Sequence, residues 1–168
     1  MDFGLLVARI VFGSLIAAHG AQKLFGWFGG YGLTGTGGYF EGLGFRPGRA
    51  FAAAAGLAEW GGGLLLALGF FEPAAAALIV SVMIVAAVSV HWTHGLFAMS
   101  NGIEVPLLYA AAAAALALTG PGGYSLDAAF GLAALWTPAV TGTVLALGIL
   151  GGFVNLALRG PAAQPVRA

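Results

Sequence analysis

The sequence predicts an all-α fold, an integral membrane bundle of helices, and three observations carry that expectation. Hydrophobic residues make up 60% of the 168 positions and charged residues only 7%, a balance no ordinary soluble domain shows. The apolar residues gather into runs about as long as a bilayer is thick. One of those runs, 51–71, carries a single ionisable residue, Glu59, near its middle. A charge at that depth costs about 2.5 to 3.5 kcal/mol on insertion scales, so Glu59 is expected to face protein and to have a partner, Arg9 or His19 and Lys23. Small residues at helical spacing, Ala52, Ala55, Gly56, Gly62 and Gly63, flank its face and leave room for another helix to approach.

The elements follow in chain order. A first span is predicted over 5–25, and because Arg9 lies inside that apolar run it reads as a retained span, not a cleaved signal. The segment 26–49 is rich in Gly and aromatic residues, Trp27, Phe28, Tyr31, Tyr39 and Phe40, which suits a loop or short interfacial helix over one mouth of the bundle. Gly30, Gly32 and Gly35 satisfy G-x-G-x-x-G, but no strand or βαβ unit surrounds them, so the match does not signal a dinucleotide site. The second span, 51–71, closes at Glu72 and Pro73. Proline suits a first helical turn, so a tight hairpin should lead into a third span ending near His91. A fourth, alanine-rich helix is predicted over 104–118, short for a full crossing unless it begins near Ser100, and it stops at Gly120, Pro121, Gly122 and Gly123. A fifth runs over 138–158, with Gly148 and Gly152 spaced for helix packing.

Composition also excludes functions. The formal net charge is zero, so nothing points to nucleic acid. Cysteine is absent, which removes disulfides, thiolate metal ligands and cysteine nucleophiles, and any redox role must borrow its electron carrier. Alternating helices place Lys23, Arg46, Arg49, Arg159 and Arg167 on one face and Asp2, Glu72 and Asp127 on the other. The positive-inside rule then predicts a multi-pass protein of the cell (inner) membrane with its N-terminus outside and its C-terminus cytoplasmic. The same topology gathers His19, Gln22, Lys23, His91, His94, Asn101 and Glu104 at one end, where a polar pocket is expected; snorkelling into headgroups is the competing explanation for Lys23, His94 and Glu104. Arg9 and Lys23 share a face of the first helix with Gly13 and Gly20 between them. His19 and His91 are of the type that ligates haem, but two histidines in so apolar a protein more often serve as hydrogen-bonded structural groups. The spacing of His91, His94 and Glu104 does not define a metal site, and none is expected.

Arg9; His19-Gly20 with Lys23-Leu24; Ala58-Glu59 followed by Gly62; Pro73; His91 with Gly95 and Phe97; Gly102-Ile103-Glu104; and the run from Gly120 to Asp127 together resemble the DoxX family of small bacterial and archaeal membrane proteins. The resemblance covers the first 127 to 135 residues. It implies a four-helix DoxX-like unit over 1–135; the additional transmembrane helix over 136–160, read from its apolar run, is an extension the resemblance does not explain, and a short tail over 161–168 follows. His94 stands where the family more usually has Asn, and Gly123 where a basic residue is common. Some relatives are subunits of a thiosulfate:quinone oxidoreductase, and others belong with a membrane complex handling thiol and oxidative stress. The expected function is therefore a redox-associated, quinone-linked membrane subunit binding an amphipathic ligand, with Arg9, His19, Lys23, Glu59, His91 and Glu104 as pocket candidates. The alternatives are a non-catalytic carrier, assembly or partner-binding protein, and a purely structural bundle in which Glu59 pairs with Arg9. Expected partners are membrane lipid, a redox partner subunit and further copies of the chain.

Overall fold

Lipid offers backbone amides no hydrogen-bond partner, so apolar runs of this length must bond internally as helices. The computed structural model describes residues 1–162 and contains seven α-helices among them. Helix α1 (Asp2–Phe25) stops at Gly26, whose left-handed φ of 73° ends the helix without the strain a side chain would bring. Short helix α2 (Gly32–Gly42) lies within the aromatic connection, and α3 (Gly48–Leu68) follows. Gly69, again left-handed, turns the chain through Phe70 and Phe71 into α4 (Glu72–Ala86), with Pro73 in its first turn as the sequence implied. The helix continues as a π turn, Ala87–His91, and a 3-10 turn, Trp92–His94. Then come α5 (Glu104–Thr119), a four-residue α6 (Leu126–Ala129) and α7 (Pro138–Ala157).

Four stretches are long and apolar enough to cross a membrane: Asp2–Phe25, Gly48–Leu68, Glu72–His94 and Pro138–Ala157. Helix α5 has 16 residues, or roughly 24 Å at 1.5 Å per residue, which is short of a bilayer core. It does not begin near Ser100. Residues 95–103 instead fold back on themselves, with Ile103 N donating to Gly95 O and Glu104 N to Leu96 O.

Close helix approach holds the bundle together, since lipid tails are as apolar as the side chains they would replace. A Cβ on Gly13 would stand 2.5 Å from Gly63 O, and one on Gly63 would stand 2.5 Å from Ala17 N, so α1 and α3 touch backbone to backbone. Gly62 faces Ala75 and Ile79 of α4. Gly148 and Gly152 lie on Ala77 and on Ser81 and Ile84 of the same helix, so α7 runs parallel to α4 along its flank. The end of α7 returns to the turn after α2: Arg159 Nε donates to Leu43 O and Gly160 N to Gly44 O. Lys23, Arg46, Arg49 and Arg159 thus share one face, opposite Asp2, Glu72 and Asp127. Arg167 and most of the expected tail lie outside the described residues.

Candidate functional site

Two buried polar clusters form, one at each end of the bundle. At the first, Lys23 Nζ lies 2.5 Å from Glu59 Oε2. Local sequence explains the pairing: Gly56, one turn before Glu59, has no side chain, and Lys23 and Leu24 of α1 lie in the space a Cβ would occupy. The lysine stem therefore reaches along α3 to the carboxylate. Glu59 is 3% exposed and Lys23 24%, because the ammonium borders a cavity of about 860 Å³. Ala54, Ala55 and Ala58 of α3 form one wall and Leu78, Val82, Val85 and Ala86 of α4 another. Helix α2 roofs it with Thr36, Tyr39 and Phe40, and Asn155 enters from α7.

The ion pair is at the deep end of this cavity. Gly62 packs at the height of Ala75 to Ile79, and α3 and α4 are antiparallel, so Glu59, three residues earlier, stands at the height of Leu78 to Val82. Ser89 and His91 lie further along α4 toward the roof. His91 Nδ1 donates to Asn101 O at 2.7 Å, since a carbonyl can only accept; in the neutral ring Nε2 is then the acceptor. The π turn beneath these residues widens the helix where Ala86, Ser89, Val90 and His91 line the cavity, a distortion often found at functional sites.

Of the six residues expected in one pocket, the structure brings Lys23, Glu59 and His91 to this cavity. His19 is exposed and does not line the cavity: it packs edge-on against Tyr109, with ring centroids 5.8 Å apart, and its Nδ1 meets Gln22 Oε1 at 3.2 Å. Gln22 in turn donates to Phe28 O, bracing the connection that leads to the roof. Glu104 accepts from Ala98 N at 2.7 Å and closes the 95–103 loop. Among the described residues, no three His, Asp or Glu side chains gather as a metal centre would need.

Arg9 requires a correction. It precedes Lys23 by four helical turns, roughly 21 Å at 1.5 Å per residue, and so can reach neither Glu59 nor the cavity. Fully buried at the opposite end, its Nη2 donates to Tyr124 O at 2.6 Å, and Gly69 gives its guanidinium space. Nearby, Asp127 is also fully buried: Oδ1 accepts from Phe71 N at 2.9 Å, while Oδ2 accepts from Glu72 N at 3.1 Å and Trp136 Nε1 at 2.8 Å. A carboxylate on the free amides of α4's first turn is a favourable cap. This cap, 55 residues distant in sequence, has no local signature. Asn155 was also missed, although a lone carboxamide in an apolar span could have signalled it.

The DoxX family profile matches residues 4–92, just over half of the chain, and the chain belongs to that family. The matched region runs from α1 to the 3-10 turn after α4; α5, α6 and α7 lie beyond it. It is shorter than the stretch over which the sequence motifs resemble the family. No curated protein and no solved structure matches the chain.

Proposed function

We propose that this member of the DoxX family is a redox-associated, quinone-linked membrane subunit that holds a neutral amphiphile in the cavity between α2, α3 and α4. The observation that carries the reading is the Lys23–Glu59 pair at the deep end of a mainly apolar cavity. Lipid-facing charge would be expensive, and a purely structural pair has no need of a cavity beside it. The ammonium has N–H donors beyond the one engaged by Glu59 and suits a carbonyl oxygen of the head. The Glu59 carboxylate can accept from a hydroxyl and take or return its proton. A bound quinone would supply the two-electron chemistry that a chain without cysteine lacks. The chain's contribution is to orient the head and exclude water with the roof of Thr36, Tyr39 and Phe40.

On this reading the cationic face is cytoplasmic and the host is the cell membrane, in keeping with the positive-inside rule. An electron-exchanging partner subunit is required, and self-association is compatible with the reading. One observation favours the runner-up, a non-catalytic carrier: the charges of Lys23 and Glu59 are already paired with each other, so the cavity can bind a head group without reacting with it.

The test is extraction of the chain in native lipid, with mass spectrometry of what copurifies and titration with decylubiquinone. Saturable binding that Lys23→Met and Glu59→Gln each weaken at least tenfold is expected. Absence of both a copurifying quinone and saturable binding would defeat the quinone reading. Binding without any electron transfer to a partner fraction would select the carrier.

A further inference from the structure

We infer that the cavity is built for an amphiphile polar at both ends, with its head on Lys23 and Glu59 and a second, hydrogen-bond-donating group on Asn155 Oδ1 of α7. The inference rests on the cavity being a ligand site, as proposed above, and adds what the ligand must carry and which helix reads it.

Asn155 stands in the last turn of the apolar helix α7, half-buried where it borders the cavity. Its Nδ2 donates to Gly151 O at 2.9 Å, one turn back on the same helix. That bond fixes which end of the amide is which, because only the nitrogen can donate to a carbonyl. Among the described residues no hydrogen bond engages Oδ1, and the side chain lines the cavity. The oxygen is therefore an acceptor awaiting a donor.

The two polar levels are separated along the cavity. Gly152 packs at the height of Ser81 and Ile84, and α7 is parallel to α4, so Asn155 stands about level with Ile84 to Ala87. Glu59 stands level with Leu78 to Val82, some six residues lower, or roughly 9 Å at 1.5 Å per residue. The walls between are apolar, with Ala55, Ala58, Val82 and Val85. A polar floor, an apolar waist and acceptors above it, Asn155 Oδ1 among them, match a chain-linked molecule with two polar termini better than one with a plain hydrocarbon tail. Gly148 and Gly152 let α7 approach α4 closely enough to deliver the amide, and the bonds of Arg159 and Gly160 to Leu43 and Gly44 tie the same helix to the roof. The reading helix lies outside the region matched by the family profile.

The test compares decylubiquinone with idebenone, which carries the same ring and a hydroxyl at the end of its ten-carbon tail. Binding to the full chain in nanodiscs is followed by tryptophan fluorescence and corrected against empty nanodiscs. One hydrogen bond predicts that the wild type prefers idebenone by roughly 2- to 12-fold. Asn155→Leu should bring the ratio of the two affinities to about one, and Lys23→Met should weaken both ligands together. If Asn155→Leu does not give monodisperse protein, Asn155→Val serves the same comparison with less bulk. Equal affinity for the two ligands in the wild type, or a preference that survives both variants, overturns the inference while the ligand site stands. Failure of the wild type to bind either ligand overturns both.

Discussion

Removing the two partners of the Lys23–Glu59 pair one at a time should have unequal effects. Lys23→Met leaves Glu59, 3% exposed, as an unpaired carboxylate among helices, and breaking a buried pair in this way costs about 3 to 5 kcal/mol. Glu59→Leu leaves Lys23, whose side chain is 24% exposed at the edge of the cavity and can turn its ammonium toward polar surroundings; the expected cost is about 1 to 2 kcal/mol. The double variant removes both charges and should lie within about 2 kcal/mol of wild type, because a buried pair and a well-packed apolar replacement are nearly equivalent. Reversible unfolding in mixed micelles, followed by tryptophan fluorescence, gives the three values and the coupling between them. If Glu59→Leu proves as damaging as Lys23→Met, or if the double variant loses the sum of the singles, the assignment of this pair as mutually compensating is wrong.

Other outcomes follow from the packing and the caps. Gly63→Val should lower stability by about 3 kcal/mol, because the new side chain meets the α1 backbone, whereas Gly61→Ala, with no heavy atom within 4 Å, should change it by less than about 0.5 kcal/mol; thermal melts of the pair check the contrast. Asp127→Ala removes an acceptor from Phe71 N, Glu72 N and Trp136 Nε1 and should cost about 3 kcal/mol, while Trp136→Phe, losing one of those bonds, should cost about 1 kcal/mol. Compartment reporters placed in the Gly122 loop and after the last residue should report opposite sides of the membrane; agreement between them would mean that α7 does not cross.

The fold was largely legible because lipid leaves few choices. Where an apolar run is long enough its backbone must bond to itself, so α1, α3, α4 and α7 could be placed from hydropathy, and Pro73 and Gly120 marked boundaries by their own backbone chemistry. The π turn at Ala87–His91 was not legible, since its residues read as plain helix. The site was read in part. Helix direction told which end each polar group occupies, and that brought Lys23, Glu59 and His91 to one cavity. It could not tell which face of an end each group occupies. His19 and Lys23 are four residues apart, yet one turns toward Tyr109 and the other toward Glu59, a division decided by Gly20 and Gly56 letting α1 and α3 touch. Arg9 shows the same limit from the other side, because sharing a helix face with Lys23 says nothing of distance along it.

The two ends also differ in what their charges can do. At the Arg9 end, Asp127 is bonded to three donors from two segments, its side chain is fully buried, and Trp136 closes over it, so motion there must break a cap. At the Lys23 end the pair has one bond between its members, a cavity beside it, and above it a glycine-rich helix bearing aromatic side chains. A charge pair held on one side only can exchange its partner for a ligand at modest cost, whereas a saturated carboxylate cannot. That asymmetry explains why Lys23 and Glu59, which border the cavity, and not the saturated Asp127, are the groups to which a ligand is assigned. It also predicts where mutation separates function from stability: changes at Asp127 should reduce folded protein without altering ligand choice, and changes at Asn155 should do the reverse.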